Sequence, residues 1–280
     1  MALDPVAATA ALVDAINALR VVEEPCSDAL RSAWRDDGAI WTVNWAESLG
    51  RDIANAAAAL ERAEAEGATD QGATEIENAL WRVDAAFEKL HDVIALGLGV
   101  PALKLNSNKK GIRRFESDRR ENRKKLRELA ADHKAAGAIL EIDERINNHR
   151  FLALRHQMTH SLAPILAWQS LIWFEVGEID DKGGVVAYSS HHLTPAHELQ
   201  TSVQPDQLFG RTIADGRDVI GLLISAMNKL TDLFRATGEL PPPPVLWRVR
   251  RTGELFFDRS EASRAARDAA SPAAGDADSN

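Results

Sequence analysis

The side chains best suited to chemistry are gathered in one short stretch, Arg155-His156-Gln157-Met158-Thr159-His160. Imidazoles titrate near neutral pH, so both histidines can give or take a proton under working conditions. The arginine stays charged and presents a planar fork of donors that matches a phosphate. Arg155 and His160 lie about 140° apart on an ideal helix, so they act together only where a helix start or a second chain brings them round. His156 and His160, four residues apart, share a helix face at a spacing that can also hold zinc. Upstream, Asn147-Asn148-His149-Arg150-Phe151 keeps the neighbourhood polar and basic, although Leu152 and Leu154 are apolar. A surface arginine and a half-buried, hydrogen-bonded histidine would read the same way.

Other candidates carry less chemistry. His191, His192 and His197 form a loose cluster with Glu198 nearby, readable as metal ligands or as a surface loop. Gly97-x-Gly99 lacks the third glycine and the preceding strand of a dinucleotide loop. Cys26 is the sole cysteine, so no internal disulfide forms. The seven Trp residues fall mostly at core-compatible positions. A net charge of −9 argues against a general nucleic-acid coat, but the charge is unevenly spread. Between Lys104 and Arg127 eleven basic residues face three acidic ones, which leaves that segment at +8 and the rest of the chain at −17. Lys109, Lys110, Arg113, Arg114, Arg119, Arg120, Arg123 and Lys124 are its candidate phosphate contacts, against the plainer reading of a solvated helix face and a charged loop.

The pattern Arg155-x4-His160, with the polar His156 directly after the arginine, resembles the R-x4–6-H signature of the HEPN superfamily (higher eukaryote and prokaryote nucleotide-binding domains). The resemblance implies a compact helical bundle with the motif near the start of a late helix. It implies metal-independent RNA cleavage with no cofactor, in which a 2′-hydroxyl attacks the adjacent phosphate. His160 would then be the general acid/base, Arg155 would hold the phosphate, and His156 would orient the arginine or contact substrate. Superfamily members typically pair, so a homodimer is implied, and a toxin–antitoxin or phage-defence setting would add an antitoxin or another protein partner. The alternative within the same family is a non-catalytic module that binds a nucleotide or a protein. Toxins of this type paired with nucleotidyltransferase antitoxins commonly carry a tyrosine two residues past the histidine, where this chain has Leu162. The stretch is also similar to the H-E-x-x-H box of zinc peptidases, but Gln157 stands where the glutamate base is needed. A third possibility is a helical interaction protein in which the motif is coincidental.

Helices must position these residues. Alanine is abundant and β-branched residues are sparse, which favours helix over 280 residues, enough for a real core. Asp4-Pro5 reads as an N-cap followed by proline at the first helical position, opening a helix that runs to about Val22. A second helix is expected over about 39–66, and the clearest amphipathic pattern is Ile76, Leu80, Val83, Phe87, Leu90 and Ile94. Residues 97–111 read as a loop. Helix resumes near Ser117 and runs to about Ile146, with a break at Gly137, and a further helix is expected from Phe151 to about Leu162. Two strand-like runs at 170–190 predict a β-hairpin. The last long helix is expected over about 211–236, with Ile213, Ile220, Leu223, Met227, Leu230 and Phe234 inward.

The expected fold is therefore mainly α, a helical bundle with a β-hairpin inserted before the last long helix. A HEPN-like helical domain would span 1–240, a Pro-rich spacer and short hairpin 241–258, and a disordered tail 259–280. No apolar run is long enough for a membrane span, and Met1-Ala2-Leu3-Asp4-Pro5 has no signal-peptide character, so a cytoplasmic protein is expected.

Overall fold

The computed structural model describes residues 4–21, 28–99, 102–107, 113–117, 119–154, 173–179, 181–193, 199–200, 205–240, 245–248, 255–258 and 265. Among them the chain is mainly helical and bundle-like. In chain order the elements are α1 (Pro5–Asn17), β1 (Arg20–Val21), α2 (Asp28–Glu66), α3 (Asp70–Leu98), β2 (Ala102–Ser107), β3 (Arg113–Ser117), α4 (Arg119–Ala130) and α5 (Lys134–Asn147). There follow α6 (residues 150–154), β4 (Trp173–Ile179), β5 (Val185–Leu193), β6 (Leu199–Gln200), α7 (Pro205–Thr237), β7 (Glu239–Leu240), β8 (Val245–Arg248) and β9 (Leu255–Asp258).

Local signals set several helix ends. The Asp4 carboxylate accepts the backbone N–H groups of Val6 (2.9 Å) and Ala7 (3.2 Å), satisfying donors that the first turn of α1 cannot pair internally. Gly67, at φ +67°, closes α2 in the left-handed conformation that glycine alone adopts at little cost. Its N–H reaches the Ala63 carbonyl at 3.0 Å. Two residues on, Thr69 opens α3 as its cap, its hydroxyl accepting from Gly72 N–H at 3.1 Å. Gly238 ends α7 as Gly67 ends α2, with φ +67° and a 2.9 Å bond to the Phe234 carbonyl.

Other ends depart from the sequence pattern. α1 stops at Asn17 instead of running to Val22, because Arg20–Val21 pairs in parallel with Glu239–Leu240, far along the chain. α2 begins at Asp28, well before residue 39, running through Asp36-Asp37-Gly38. A mid-helix glycine costs only about 1 kcal/mol, so it does not by itself end a helix. The break between α4 and α5 falls at 131–133, where His133 N–H bonds back to the Leu129 carbonyl at 2.8 Å, and Gly137 lies inside α5. Residues 102–107, expected as loop, form a strand in a four-stranded sheet of order β3–β2–β9–β8. Leu103 pairs with Ser117 on one side and with Phe257 on the other.

The chain divides into two compact units, each assembled from three separate stretches. The first comprises Met1–Ala8, Leu49–Phe87 and Glu141–Ala226. Its buried side chains include Leu49, Ile53, Leu60, Ile76, Leu80, Val83, Ile146, Phe151, Ile213 and Leu223. The second comprises Thr9–Ser48, Glu88–Leu140 and Met227–Asn280 and buries Leu12, Ile16, Leu90, Ile94, Leu126, Ile139, Met227, Leu230 and Phe234. In that unit Gly97 leaves space for the Phe234 ring, since a Cβ there would come within 2.6 Å of Cε1. The six apolar residues expected along α3 and the six expected along α7 are all buried. Trp81 departs from its core-compatible pattern and is 49% exposed. No described helix is long and apolar enough to cross a membrane.

Candidate functional site

The described residues that precede the Arg155–His160 stretch in sequence form a tethered corner between α5 and α7. After α5, the turn at Asn148–His149 redirects the chain into α6, and His149 caps it. The His149 carbonyl accepts from Leu152 and Ala153 N–H, both at 3.1 Å, while its own ring Nδ1 accepts from Phe151 N–H at 3.2 Å. Nδ1 can accept only with its lone pair free, so in this geometry the ring carries its proton on Nε2. Nε2 in turn donates to Asp218 Oδ2 on α7 at 3.2 Å. The imidazole is largely buried, with 14% of the side chain exposed, and both nitrogens are engaged.

Its neighbours dock on the same four residues of α7. The Arg150 guanidinium lies 3.6 Å from Asp215 Oδ2. The Phe151 ring, fully buried, sits where a Cβ on Gly216 would approach it to 3.0 Å. Three residues apart, Asp215 and Asp218 lie on one face of α7 and grip consecutive residues of the corner. The intervening Arg217 turns to Glu64 of α2, with paired hydrogen bonds of 3.1 and 2.5 Å. Those bonds hold the Glu64 carboxyl below its ordinary value and raise the arginine further.

The basic segment yields a second feature, in the other unit. On α4, Arg120, Lys124 and Arg127 are exposed at i, i+4 and i+7, one continuous stripe, whereas Arg119 and Arg123 are half-buried. The opposite face carries Asn122 and Leu126, both fully buried. Asn122 Nδ2 donates to the His91 carbonyl at 2.9 Å and lies 3.3 Å from His91 Nδ1. This polar pair orients the basic helix within its unit. Arg113 and Arg114 are in β3, opposite Ser107 and Asn106 of β2.

Arg155, His156 and His160 lie outside the described residues, as do Lys109, Lys110, His197 and Glu198. His191 and His192 belong to β5. Among the described residues no group of three or more His, Cys, Asp and Glu is arranged to hold a metal. Sequence reasoning passed over the role of His149 because the favoured caps, Asn147 and Asn148, stand just before it. The available signal was Asp215-x-x-Asp218 flanking a glycine on one helix face. No protein-family model, curated protein or solved structure matches this chain.

Proposed function

We propose that the protein is a HEPN-like, metal-independent endoribonuclease. The observation that carries this reading is the sequence Arg155-His156-x-x-x-His160, which begins at the residue after a capped and docked helix start within a mainly helical chain. In the reaction the ribose 2′-oxygen bonds to the adjacent phosphorus and the bond to the 5′-oxygen breaks. The 2′-hydroxyl proton leaves to a base and the departing 5′-oxygen takes one up, giving a cyclic phosphate and a 5′-hydroxyl end. His160 would serve as acid/base, Arg155 would stabilise charge on the phosphate, and His156 would orient the arginine or contact the RNA. The exposed stripe Arg120, Lys124 and Arg127 supports RNA binding through phosphates.

The same reading includes a cytoplasmic homodimer and a toxin or phage-defence role with an antitoxin or other protein partner. It also includes a β-hairpin inserted before the last long helix, supported by antiparallel register from Trp173↔His192 to Ile179↔Val185.

The test is cleavage of a labelled mixed RNA in EDTA by the wild-type chain, Arg155→Ala and His160→Ala. Cyclic-phosphate products that vanish in both variants support the enzyme. Salt-dependent RNA binding without any cleavage by the wild-type chain replaces it with the non-catalytic binding module.

A further inference from the structure

We infer that the outward face of α3 around Trp81 is a self-docking surface, on which a second copy of this chain packs with its own α3 running parallel. The inference gives a surface to the homodimer of the reading above and rests on that part of it alone. Trp81 is the bulkiest of the three large apolar side chains exposed among the described residues, and it lies in the first unit. Thr74, Asn78, Trp81 and Ala85 follow at steps of four, three and four, so they form one uncharged line along the helix. Thr74 and Asn78 are exposed and Ala85 is half-buried.

The charges beside that line are of opposite sign. Glu77 and Asp84, both half-buried, fall to one side and Arg82 to the other, each roughly 70–90° away on the helical wheel. Arg62 of α2 joins the Arg82 side, because Glu75 of α3 holds it at 2.8 Å, as Asp52 holds Arg82 at 3.0 Å. Both carboxylates are buried, while the arginine side chains are 56% and 54% exposed. Each guanidinium is thus fixed in place with part of its donor fork open to solvent. Glu77 and Asp84 would repel the phosphates of a nucleic acid, whereas an exposed Trp flanked by arginine is the side-chain set that anchors protein interfaces. The rim is also its own complement. A two-fold axis parallel to α3 exchanges its two sides, setting Glu77 against the partner's Arg62 and Asp84 against the partner's Arg82. Their levels along the helix differ by only about 3 Å, two residues of rise. A two-fold axis across α3 would oppose like to like, so charge selects the parallel pair. Burial raises the Glu77 carboxyl above its ordinary value, and a guanidinium brought by the partner would offset that cost.

The experiment is sedimentation equilibrium of the full-length wild-type chain, Trp81→Ala and Glu77→Lys, with circular dichroism to check folding. Thr74→Cys and Ala85→Cys, each with Cys26→Ser, are oxidised mildly alongside. Trp81→Ala is expected to weaken dimerisation about 30-fold or more, and Glu77→Lys about tenfold. Glu77→Lys carries the test if Trp81→Ala unfolds. Parallel pairing brings each new cysteine to its own counterpart, so both are expected to give disulfide-linked dimers. A wild-type chain that stays monomeric at about 100 μM would overturn this inference together with the homodimer. A dimer unchanged by Trp81→Ala and Glu77→Lys, or one in which neither cysteine cross-links, would overturn the surface alone. A chain that dimerises through this face yet cuts no RNA would leave the inference standing and remove only the ribonuclease reading.

Discussion

At single residues, partners decide what each side chain can do. The His149 imidazole is spent on a cap and a tether, while Asn122 spends its amide on a backbone carbonyl beneath a basic helix. Carboxylates divide by environment. Glu75 of α3 receives the Arg62 guanidinium at 2.8 Å, and that hydrogen bond is the chief reason its carboxyl is held below 4.5. Two residues on, burial raises Glu77 above 4.5. The signs are opposite. A lowered folded value means that the Glu75 contribution is present above pH 4.5 and is lost as pH falls through the folded value, whereas that of Glu77 is present in acid and lost as pH rises. Urea unfolding of Glu75→Gln should therefore show lower stability than wild type above pH 4.5, with the gap narrowing below it. A gap that stays constant across that window would mean that Glu75 acts through packing and not through its charge.

At the scale of elements, α4 separates its two tasks by face. Its inward face carries Asn122 and Leu126, and its outward stripe carries Arg120, Lys124 and Arg127. Replacing the three stripe residues with glutamine should leave thermal stability nearly unchanged, within about 0.5 kcal/mol as for most surface positions. On the proposed RNA-binding reading, affinity for RNA should fall, and the slope of log affinity against log salt should drop by up to about 2, at roughly 0.7 per single-strand phosphate contact. An unchanged slope in a titration at several salt concentrations would remove the stripe from the proposed RNA interface. The basic character of α4 is visible in its composition, but which three of its cations are exposed is not. That selection follows from the burial of Asn122 against His91, a pairing 31 residues apart that helical periodicity alone does not specify.

For the whole molecule, each compact unit needs chain from three distant stretches, and α1, α2, α3, α5 and α7 each contribute to both. Deleting residues 227–280 removes Met227, Leu230, Leu233 and Phe234 from the second unit and leaves the space at Gly97 empty. That unit should then fail to protect α4 and α5 from limited proteolysis, with helical circular dichroism reduced beyond the deleted residues. Full protection of α4 and α5 would show that the unit does not depend on its last stretch.

What the sequence by itself determined is the helical character, the inward faces of α3 and α7, and the cap at Asp4-Pro5. Each is set by interactions within a few residues: the 3.6-residue repeat, side-chain capping and the fixed φ of proline. The candidate chemistry at Arg155 and His160 was legible only as residue types at a spacing. Tertiary structure decided where α1 ends, the pairing of Leu103 with Phe257, and the docking of His149, Arg150 and Phe151 on Asp215, Gly216 and Asp218. The physical reason is common to all of them. A strand, a cap or an ion pair completed by a partner far along the chain leaves no local pattern, because the energy that selects it exists only once the chain has folded.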